Sequence, residues 1–215
     1  MTSSIGNRHF LARRIHSLLG LLPISGFMMF HLYENSQSRQ GEEHFNELVV
    51  KIESMNYVLL AEIFVLALPI LAHAVYGLWI TWEGRPNMGR YGYARNWMYW
   101  LQRFSGLAVF VYLIVHVGGT RIFKIFDAAA AENLFGRMQD ILENPLWFAF
   151  YVIGLLLSLF HMCNGLWTFG IVWGVTTTPR AQRISFAACT LLFAVLSFMG
   201  VHGLLGFVVQ GLDFI

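Results

Sequence analysis

Between Leu146 and Trp173 the chain reads LWFAFYVIGLLLSLFHMCNGLWTFGIVW, 28 residues with no charged side chain and one histidine, His161. An apolar run of about 20 residues is long enough to cross a bilayer as a helix. The run is too long for a barrel strand and lacks strict alternation, so a helix is the expected spanning form. The whole composition agrees, because 57% of the residues are hydrophobic and 12% are charged, whereas soluble domains carry about 25% charged residues.

Four further apolar runs accompany this one. We predict an all-α integral membrane protein, one membrane-anchor domain over residues 1–215, with five spans at about 15–33, 57–82, 97–119, 146–173 and 185–210. Cys163 and Cys189 fall inside the fourth and fifth spans, so we expect no disulfide. The sequence also contains no C-x-x-C-H motif for covalent haem attachment.

Charge is distributed unevenly over the segments between the spans. The N-terminal arm and segments 83–96 and 174–184 carry eight arginines against one acid, Glu83. Segments 34–56 and 120–145 carry five basic residues against nine acids, and Asp213 adds a further acid on the same side. Basic segments stay on the cytoplasmic side. The pattern therefore predicts a cytoplasmic N-terminus and, with five spans, a C-terminus outside.

The two acidic segments also contain apolar residues at helical spacing. One set is Phe45, Leu48, Val49 and Ile52, and the other is Leu134, Phe135, Met138, Ile141 and Leu142. Such spacing predicts two short amphipathic helices beside the membrane.

One histidine lies inside each of the first four spans. At about 1.5 Å per residue, His31 and His116 lie about 24 and 28 Å from the inner end, and His73 and His161 about 13 and 18 Å. Depth therefore pairs His31 with His116 near the outer face and His73 with His161 nearer the inner face. The two levels differ by about 10 Å, a separation compatible with two stacked haems.

Two histidines at each level favour axial ligation of haem iron, since zinc or copper usually takes three or four ligands at one level. Gly154 and Gly165 share a helix face with His161 and leave room for a flat macrocycle. Hydrogen bonding between helices and a proton path remain alternative roles for such histidines. His202 in the fifth span is a rival outer ligand, whereas His9 and His44 are expected to be exposed.

Six stretches resemble the two-haem cytochrome b anchors of bacterial succinate:quinone oxidoreductases, in particular the single-subunit, five-helix type of menaquinone-using bacteria. They are RRIHSLLG (13–20), HAVYG (73–77), YARNWM (93–98), LQR (101–103), HMCNGLW (161–167) and TPRAQRI (178–184). The likeness runs from about residue 6 to about residue 203. It implies five helices bundled around two b haems, with quinone as the electron acceptor. It also implies a bacterial cytoplasmic membrane and cytoplasmic flavoprotein and iron–sulfur partner subunits.

The resemblance assigns the four axial positions to His31, His116, His73 and His161, and it offers no counterpart for His202. Electrons from succinate would then pass the inner haem, held by His73 and His161, and the outer haem, held by His31 and His116, before reaching menaquinone. The resemblance thus implies the membrane part of complex II in the tricarboxylic acid cycle. The chain contains no flavin site and no iron–sulfur cysteines, so it is not expected to oxidise succinate alone.

Five polar residues near the inner ends of the spans are candidate partners of the inner haem's propionates: His16, Ser17, Arg103, Arg180 and Arg183. Arg103 is the most informative of them, because an arginine within a span is costly unless it is paired. The alternative for the others is an interfacial position that follows the positive-inside pattern, with long side chains reaching water.

Glu62 is the only acid within a span, five residues from its outer end. It precedes His73 by eleven residues, which corresponds to about 20° around a regular helix. Because quinone reduction takes up two protons, a carboxyl near the outer face is a candidate proton donor. The alternative is an acid that reaches water or bonds to a neighbouring helix.

Three other functions remain open at this point. The same architecture can work as a quinol:fumarate reductase. The cytochrome b of another membrane dehydrogenase is a second alternative, although such subunits often place two ligands on one helix. A haem-free transporter that uses histidines as proton relays is the third.

Overall fold

A computed structural model describes residues 2–85, 87–127 and 132–209. The regular structure in these ranges is helical throughout, without a strand. Helix α1 covers Thr2–Leu19 and continues through a π-helical turn, Gly20–Ile24, into α2 at Ser25–Ser36. A 3₁₀ turn, Gln37–Gln40, ends this first long helix.

The remaining helices follow in chain order. They are α3 (Glu42–Glu53), α4 (Val58–Ala61), a π-helical segment (Glu62–Ala67), α5 (Leu68–Glu83), α6 (Ala94–Val117), a π-helical turn (Gly118–Ile122), α7 (Phe123–Phe126), α8 (Leu134–Leu142), α9 (Pro145–Val172) and α10 (Pro179–Val208).

Five of the described helical stretches are long and apolar enough to cross a membrane, which confirms the predicted number of spans. They are His9–Gln40, Val58–Glu83, Ala94–Phe126, Pro145–Val172 and Pro179–Val208. The fifth begins six residues before the predicted position 185. The reason is that the Thr178 hydroxyl accepts a 3.2 Å hydrogen bond from the Ala181 N–H, and Pro179 occupies the first helical position. The predicted end at Gln210 and the C-terminus lie outside the described residues.

Two of the π-helical segments contain a proline or lie just before one. Proline has no N–H and its ring collides with the carbonyl four residues earlier, which disrupts the regular α-helical ladder. Pro23 lies within Gly20–Ile24, and Pro69 follows two residues after Glu62–Ala67. At the first of these turns the Ser25 hydroxyl donates a 2.7 Å hydrogen bond to the Gly20 carbonyl. The Ser25 backbone N–H also donates to this carbonyl, so backbone and side chain together satisfy the irregular turn.

The chain divides into two compact units. The first unit consists of Met1–Met28, Leu59–Leu107 and Phe160–Leu192, and the second of Met29–Val58, Ala108–Leu159 and Phe193–Ile215. In the first unit Trp167 is buried, and its Nε1–H donates a 3.2 Å hydrogen bond to the Gln182 carbonyl. This bond links α9 to α10.

The two predicted short helices are confirmed as α3 and α8, and both belong to the second unit. Their apolar faces bury Phe45, Phe135, Met138 and Leu142 in one core with Tyr151 and Phe207. The helical spacing of these residues thus serves packing within the protein.

The spans keep large apolar side chains on their exposed faces. On α10, Leu191, Val195 and Phe198 are exposed, whereas Gly200 and Gly203 are buried. In the second unit a Cβ atom at Gly203 would lie 2.9 Å from the Asn35 carbonyl oxygen, so glycine permits the close approach of α2 and α10. Exposed apolar faces with small residues at the contacts are typical of helices packed in lipid.

Candidate histidine sites

In the first unit, His73 on α5 faces His161 on α9. Their ring centroids are 6.2 Å apart and their planes meet at 89°. The Nδ1 atom of His73 lies 2.9 Å from the His16 carbonyl oxygen, and that of His161 lies 3.1 Å from the Gln102 carbonyl oxygen. A carbonyl can only accept, so each Nδ1 carries the proton and each Nε2 keeps its lone pair. This is the tautomer that binds a metal ion through Nε2.

Glycines make room for both rings in the first unit. A Cβ atom at Gly20 would lie 2.7 Å from Cε1 of His73, and one at Gly106 would lie 2.9 Å from Cε1 of His161. Both distances are shorter than real Cβ contacts allow. Gly165, which was expected on the same face as His161, borders the Gln102 side chain, because a Cβ atom there would lie 3.4 Å from Gln102 Nε2.

Three polar residues, Gln102, Asn164 and Ser105, surround His161, and none of them is among the candidate site residues of the sequence analysis. Gln102 Nε2 donates a 3.0 Å hydrogen bond to the His161 carbonyl, and Asn164 Nδ2 donates a 2.7 Å bond to Gln102 Oε1. The Ser105 hydroxyl lies 3.3 Å from His161 Nδ1 and is almost fully buried. A signal did exist, because Asn164 is a polar residue one turn from the histidine of an otherwise apolar span.

His16 lies against the ligand candidate His73 and is itself largely enclosed. The two rings stack with centroids 3.9 Å apart and planes 12° apart, and a Cβ atom at Gly77 would lie 3.1 Å from Cε1 of His16. Among the described residues, the buried Nδ1 of His16 has no hydrogen-bond partner. The next residue, Ser17, donates to the Arg14 carbonyl at 3.0 Å and accepts from Trp173 Nε1 at 2.9 Å.

Arg103 is half-buried on α6. Its guanidinium carbon lies 3.4 Å from the centroid of the Tyr99 ring, and Nη1 donates a 3.1 Å bond to the Tyr99 carbonyl. Its buried Nε–H has no hydrogen-bond partner among the described residues. The other two arginines of the predicted group, Arg180 and Arg183, are exposed at the start of α10.

Glu62 is the first residue of the π-helical segment Glu62–Ala67 and is half-buried. A π turn contains one residue more than an α turn, which changes the rotation between Glu62 and His73 by about 100°. The two side chains therefore do not share a face within about 20°, as an uninterrupted α-helix would require. Glu62 remains a half-buried acid within a span.

In the second unit, His31 on α2 faces His116 on α6, with ring centroids 5.8 Å apart and planes at 70°. The Tyr112 ring stacks on His116 at 5.5 Å, and the Tyr151 ring meets His116 edge-on at 5.7 Å. The Tyr112 ring also fills the space beside Gly154 that a Cβ atom would need. Polar groups of Glu34 and Asn35 lie beside the His31 ring. Asn35 Nδ2 lies 3.2 Å from Nε2, and Glu34 Oε2 lies 3.7 Å from Nδ1.

The other histidines have different surroundings. His202 is half-buried and its ring stacks on Phe198 at 5.8 Å, while His31 and His116 face each other. His9 and His44 are exposed, as expected from the sequence.

Both histidine pairs fit axial ligation of one metal by two imidazoles. With bonds of about 2 Å from nitrogen to metal, two imidazoles on opposite sides of one metal place their centroids about 6 Å apart. The observed values are 6.2 Å in the first unit and 5.8 Å in the second. The fit is more complete in the first unit, where both Nδ1 atoms have carbonyl acceptors, whereas His116 Nδ1 is buried with no partner among the described residues.

Within the described residues, five long apolar helices with one facing pair of histidines in each unit define a helical, multi-pass membrane protein with two paired-histidine sites. Residues 83–201 match the family described as the succinate dehydrogenase/fumarate reductase transmembrane subunit. The chain is also 40% identical over 203 residues to the succinate dehydrogenase cytochrome b558 subunit of Bacillus subtilis (strain 168). The alignment covers 94% of this chain and 99% of that relative.

The chain belongs to the succinate dehydrogenase/fumarate reductase transmembrane subunit family. The resemblance seen in the sequence is thereby confirmed, and so is the prediction of a multi-pass bacterial membrane protein. The chain is accordingly a membrane subunit of this class of enzyme complex.

Proposed function

We propose that this chain is the dihaem cytochrome b anchor of a succinate:menaquinone oxidoreductase. The observation that carries the proposal is the arrangement of His73 and His161, which face each other while each donates Nδ1–H to a backbone carbonyl. The cytochrome b558 name of the Bacillus relative supports haem as the group that is held. The same architecture working as a quinol:fumarate reductase differs only in the direction of electron flow.

His73 and His161 would hold the inner haem, and His31 and His116 the outer one. Bound haem supplies one-electron transfer. The protein's part is to hold each pair of imidazoles at a set distance, to fix their tautomer and to exclude water. Burial of Ser105 and Asn164 beside His161 serves the last two of these tasks.

His16, Ser17, Arg103, Arg180 and Arg183 are the candidate partners of the inner haem's propionates. The support differs between them. His16 and Arg103 each have a buried nitrogen without a hydrogen-bond partner among the described residues, which suits an acceptor that is bound with the haem. Arg180 and Arg183 are exposed, so they would contribute charge near the surface.

Glu62 is the candidate proton donor to the quinone. Reduction of a quinone by two electrons consumes two protons, and a carboxyl that is half-buried in a span can relay protons from water. Its place near the outer end of the second span agrees with quinone reduction near the outer face.

We also infer the orientation and the partners from charge. The basic segments would face the cytoplasm and meet the flavoprotein and iron–sulfur subunits, with the N-terminus inside and the C-terminus outside. Succinate oxidation would take place on those partners, and this chain would act as the anchor and the electron carrier, as one domain in the bacterial cytoplasmic membrane.

The test is a set of single alanine variants of the four histidines in the purified complex, with the exposed His44→Ala as the matched control. Reduced-minus-oxidised spectra should show two haem components. His73→Ala and His161→Ala should remove or alter one component, and His31→Ala and His116→Ala the other, because each axial site then lacks a nitrogen.

A complex without a haem spectrum would favour the proton-relay transporter and contradict the proposal. Losses that follow other pairs, or His202→Ala abolishing a component that His116→Ala leaves intact, would show that the ligands are wrongly assigned. Comparing succinate oxidation with fumarate reduction in the same complex would identify the physiological direction.

A further inference from the structure

We propose that Gln102 and Asn164 are positioning residues that hold the imidazole of His161 at a fixed rotation in the inner site. The role deepens the proposed function, because it rests on ligation of the inner haem by His161. Both residues lie in the first unit with His161, Gln102 on α6 and Asn164 on α9.

Two hydrogen bonds run in opposite directions between Gln102 and His161. The imidazole donates from Nδ1 to the Gln102 carbonyl at 3.1 Å, and the Gln102 side chain donates from Nε2 to the His161 carbonyl at 3.0 Å. The second bond keeps the backbone of His161 next to the Gln102 carbonyl that the ring requires. A ring rotation or a slip of α9 along α6 would therefore break at least one of the two bonds.

Asn164 fixes the orientation of the Gln102 amide. Its Nδ2 donates to Gln102 Oε1 at 2.7 Å and lies 3.3 Å from the Met98 carbonyl oxygen. Both neighbours are oxygens that accept, so Nδ2 must face them. With Oε1 occupied by Asn164, the amide of Gln102 presents Nε2 to the His161 carbonyl. The order of influence is thus from Asn164 to Gln102 to His161.

Burial protects these hydrogen bonds from competing partners. Asn164 is 7% exposed, so solvent has little access to the amide that bonds to Gln102. Ser105 adds to the same site, since its hydroxyl lies 3.2 Å from the Gln102 carbonyl and 3.3 Å from His161 Nδ1. The Gln102 carbonyl therefore accepts from two donors and stays in place.

The rotation of the His161 ring has a measurable consequence. The two imidazole planes of the first unit meet at 89°. The angle between two axial imidazole planes sets the splitting of the iron d orbitals, and hence the largest g-value in the electron paramagnetic resonance spectrum of low-spin ferric haem. A positioning role predicts a change in that value, whereas a role confined to helix packing predicts assembly defects without it.

The experiment compares Gln102→Leu, Asn164→Leu and the double variant in the purified, haem-containing complex. The matched control is Thr168→Val, one turn further along α9, because the Thr168 hydroxyl bonds to carbonyls of its own helix at 3.0 Å. Both single variants should shift the largest g-value of the inner haem and should weaken its retention in detergent by about 10- to 100-fold, the usual effect of losing such supporting groups. The signal of the outer haem should match the wild type in all of these variants. In Thr168→Val the signal of the inner haem should also match the wild type.

The double variant tests the order of influence. If Asn164 acts through the Gln102 amide, Asn164→Leu should add almost nothing to Gln102→Leu. An unchanged inner signal in both single variants would overturn the proposal, and so would equal shifts of both haem signals. Additive effects of the two substitutions in the double variant would also overturn it. If Asn164→Leu fails to assemble, Asn164→Ser must show the inner shift, and an unchanged signal there also overturns it. Failure of the ligation itself is recognised separately, because His161→Ala would then retain the inner haem.

Discussion

Replacing Gly20 by alanine should damage the inner site while leaving the first span intact. The added Cβ atom would lie 2.7 Å from Cε1 of His73, whereas ordinary contacts begin at 3.4 Å. The ring must therefore retreat by about 0.7 Å. The His16 ring, stacked at 3.9 Å, restricts that movement on another side.

The expected cost follows from these contacts. Overpacking of this kind costs about 1–3 kcal/mol. A retreat of about 0.7 Å also stretches the 2.9 Å bond from His73 Nδ1 to the His16 carbonyl beyond hydrogen-bonding range, which costs about 1 kcal/mol. Because about 1.4 kcal/mol corresponds to a factor of ten, we expect retention of the inner haem to weaken by roughly 10- to 1000-fold.

The assay is a redox titration followed by visible spectra of the purified complex, together with haem content after detergent washing. The matched control is Gly26→Ala in the same span, because a Cβ atom there meets nothing within 4 Å. Gly26→Ala should keep both haems, since alanine favours a helix over glycine by about 0.5–1 kcal/mol. If Gly20→Ala retained the inner component with the spectrum and potential of Gly26→Ala, the assignment of His73 to a tightly enclosed ligand site would be refuted.

Two further predictions concern the charged residues. Arg103→Leu should lower the midpoint potential of the inner haem, because a positive charge beside a propionate favours the reduced form, whereas the exposed Arg90→Leu should not. A titration curve that coincides with the wild type would count against the propionate role. Glu62→Gln should strongly reduce quinone-linked succinate oxidation while both haems and oxidation with a soluble dye acceptor persist, and the exposed Glu47→Gln should be silent. Full quinone activity in Glu62→Gln would exclude Glu62 as the donor.

Several structural features could be predicted from the sequence with simple rules. Run length alone located the five spans, because a helix must be about 20 residues long to cross a bilayer. Residue counts from the span ends paired His31 with His116 and His73 with His161, and the structure brings the same residues face to face. Helical spacing of Phe45 and Phe135 predicted the two short helices.

Other features were misjudged or missed, for physical reasons. The prediction that Glu62 and His73 share a helix face assumed an uninterrupted α-helix. The π-helical segment at Glu62–Ala67 changes the rotation between the two residues. Pro69 was the sequence feature that indicated an irregular helix at this place. His16 was expected among groups at the inner surface, but its ring stacks on His73.

The sequence by itself determined what depends on one helix at a time: the spans, their order and the depth of each histidine. These features follow from the fixed rise and period of a helix and from the cost of leaving backbone groups unbonded in lipid. Only the tertiary structure decided which groups meet between helices, such as the Gln102 carbonyl with His161 and Gly20 with His73. In lipid every apolar face is equally tolerated, so hydrophobic pattern cannot select partners. Close packing at glycines and hydrogen bonds between polar side chains make that selection.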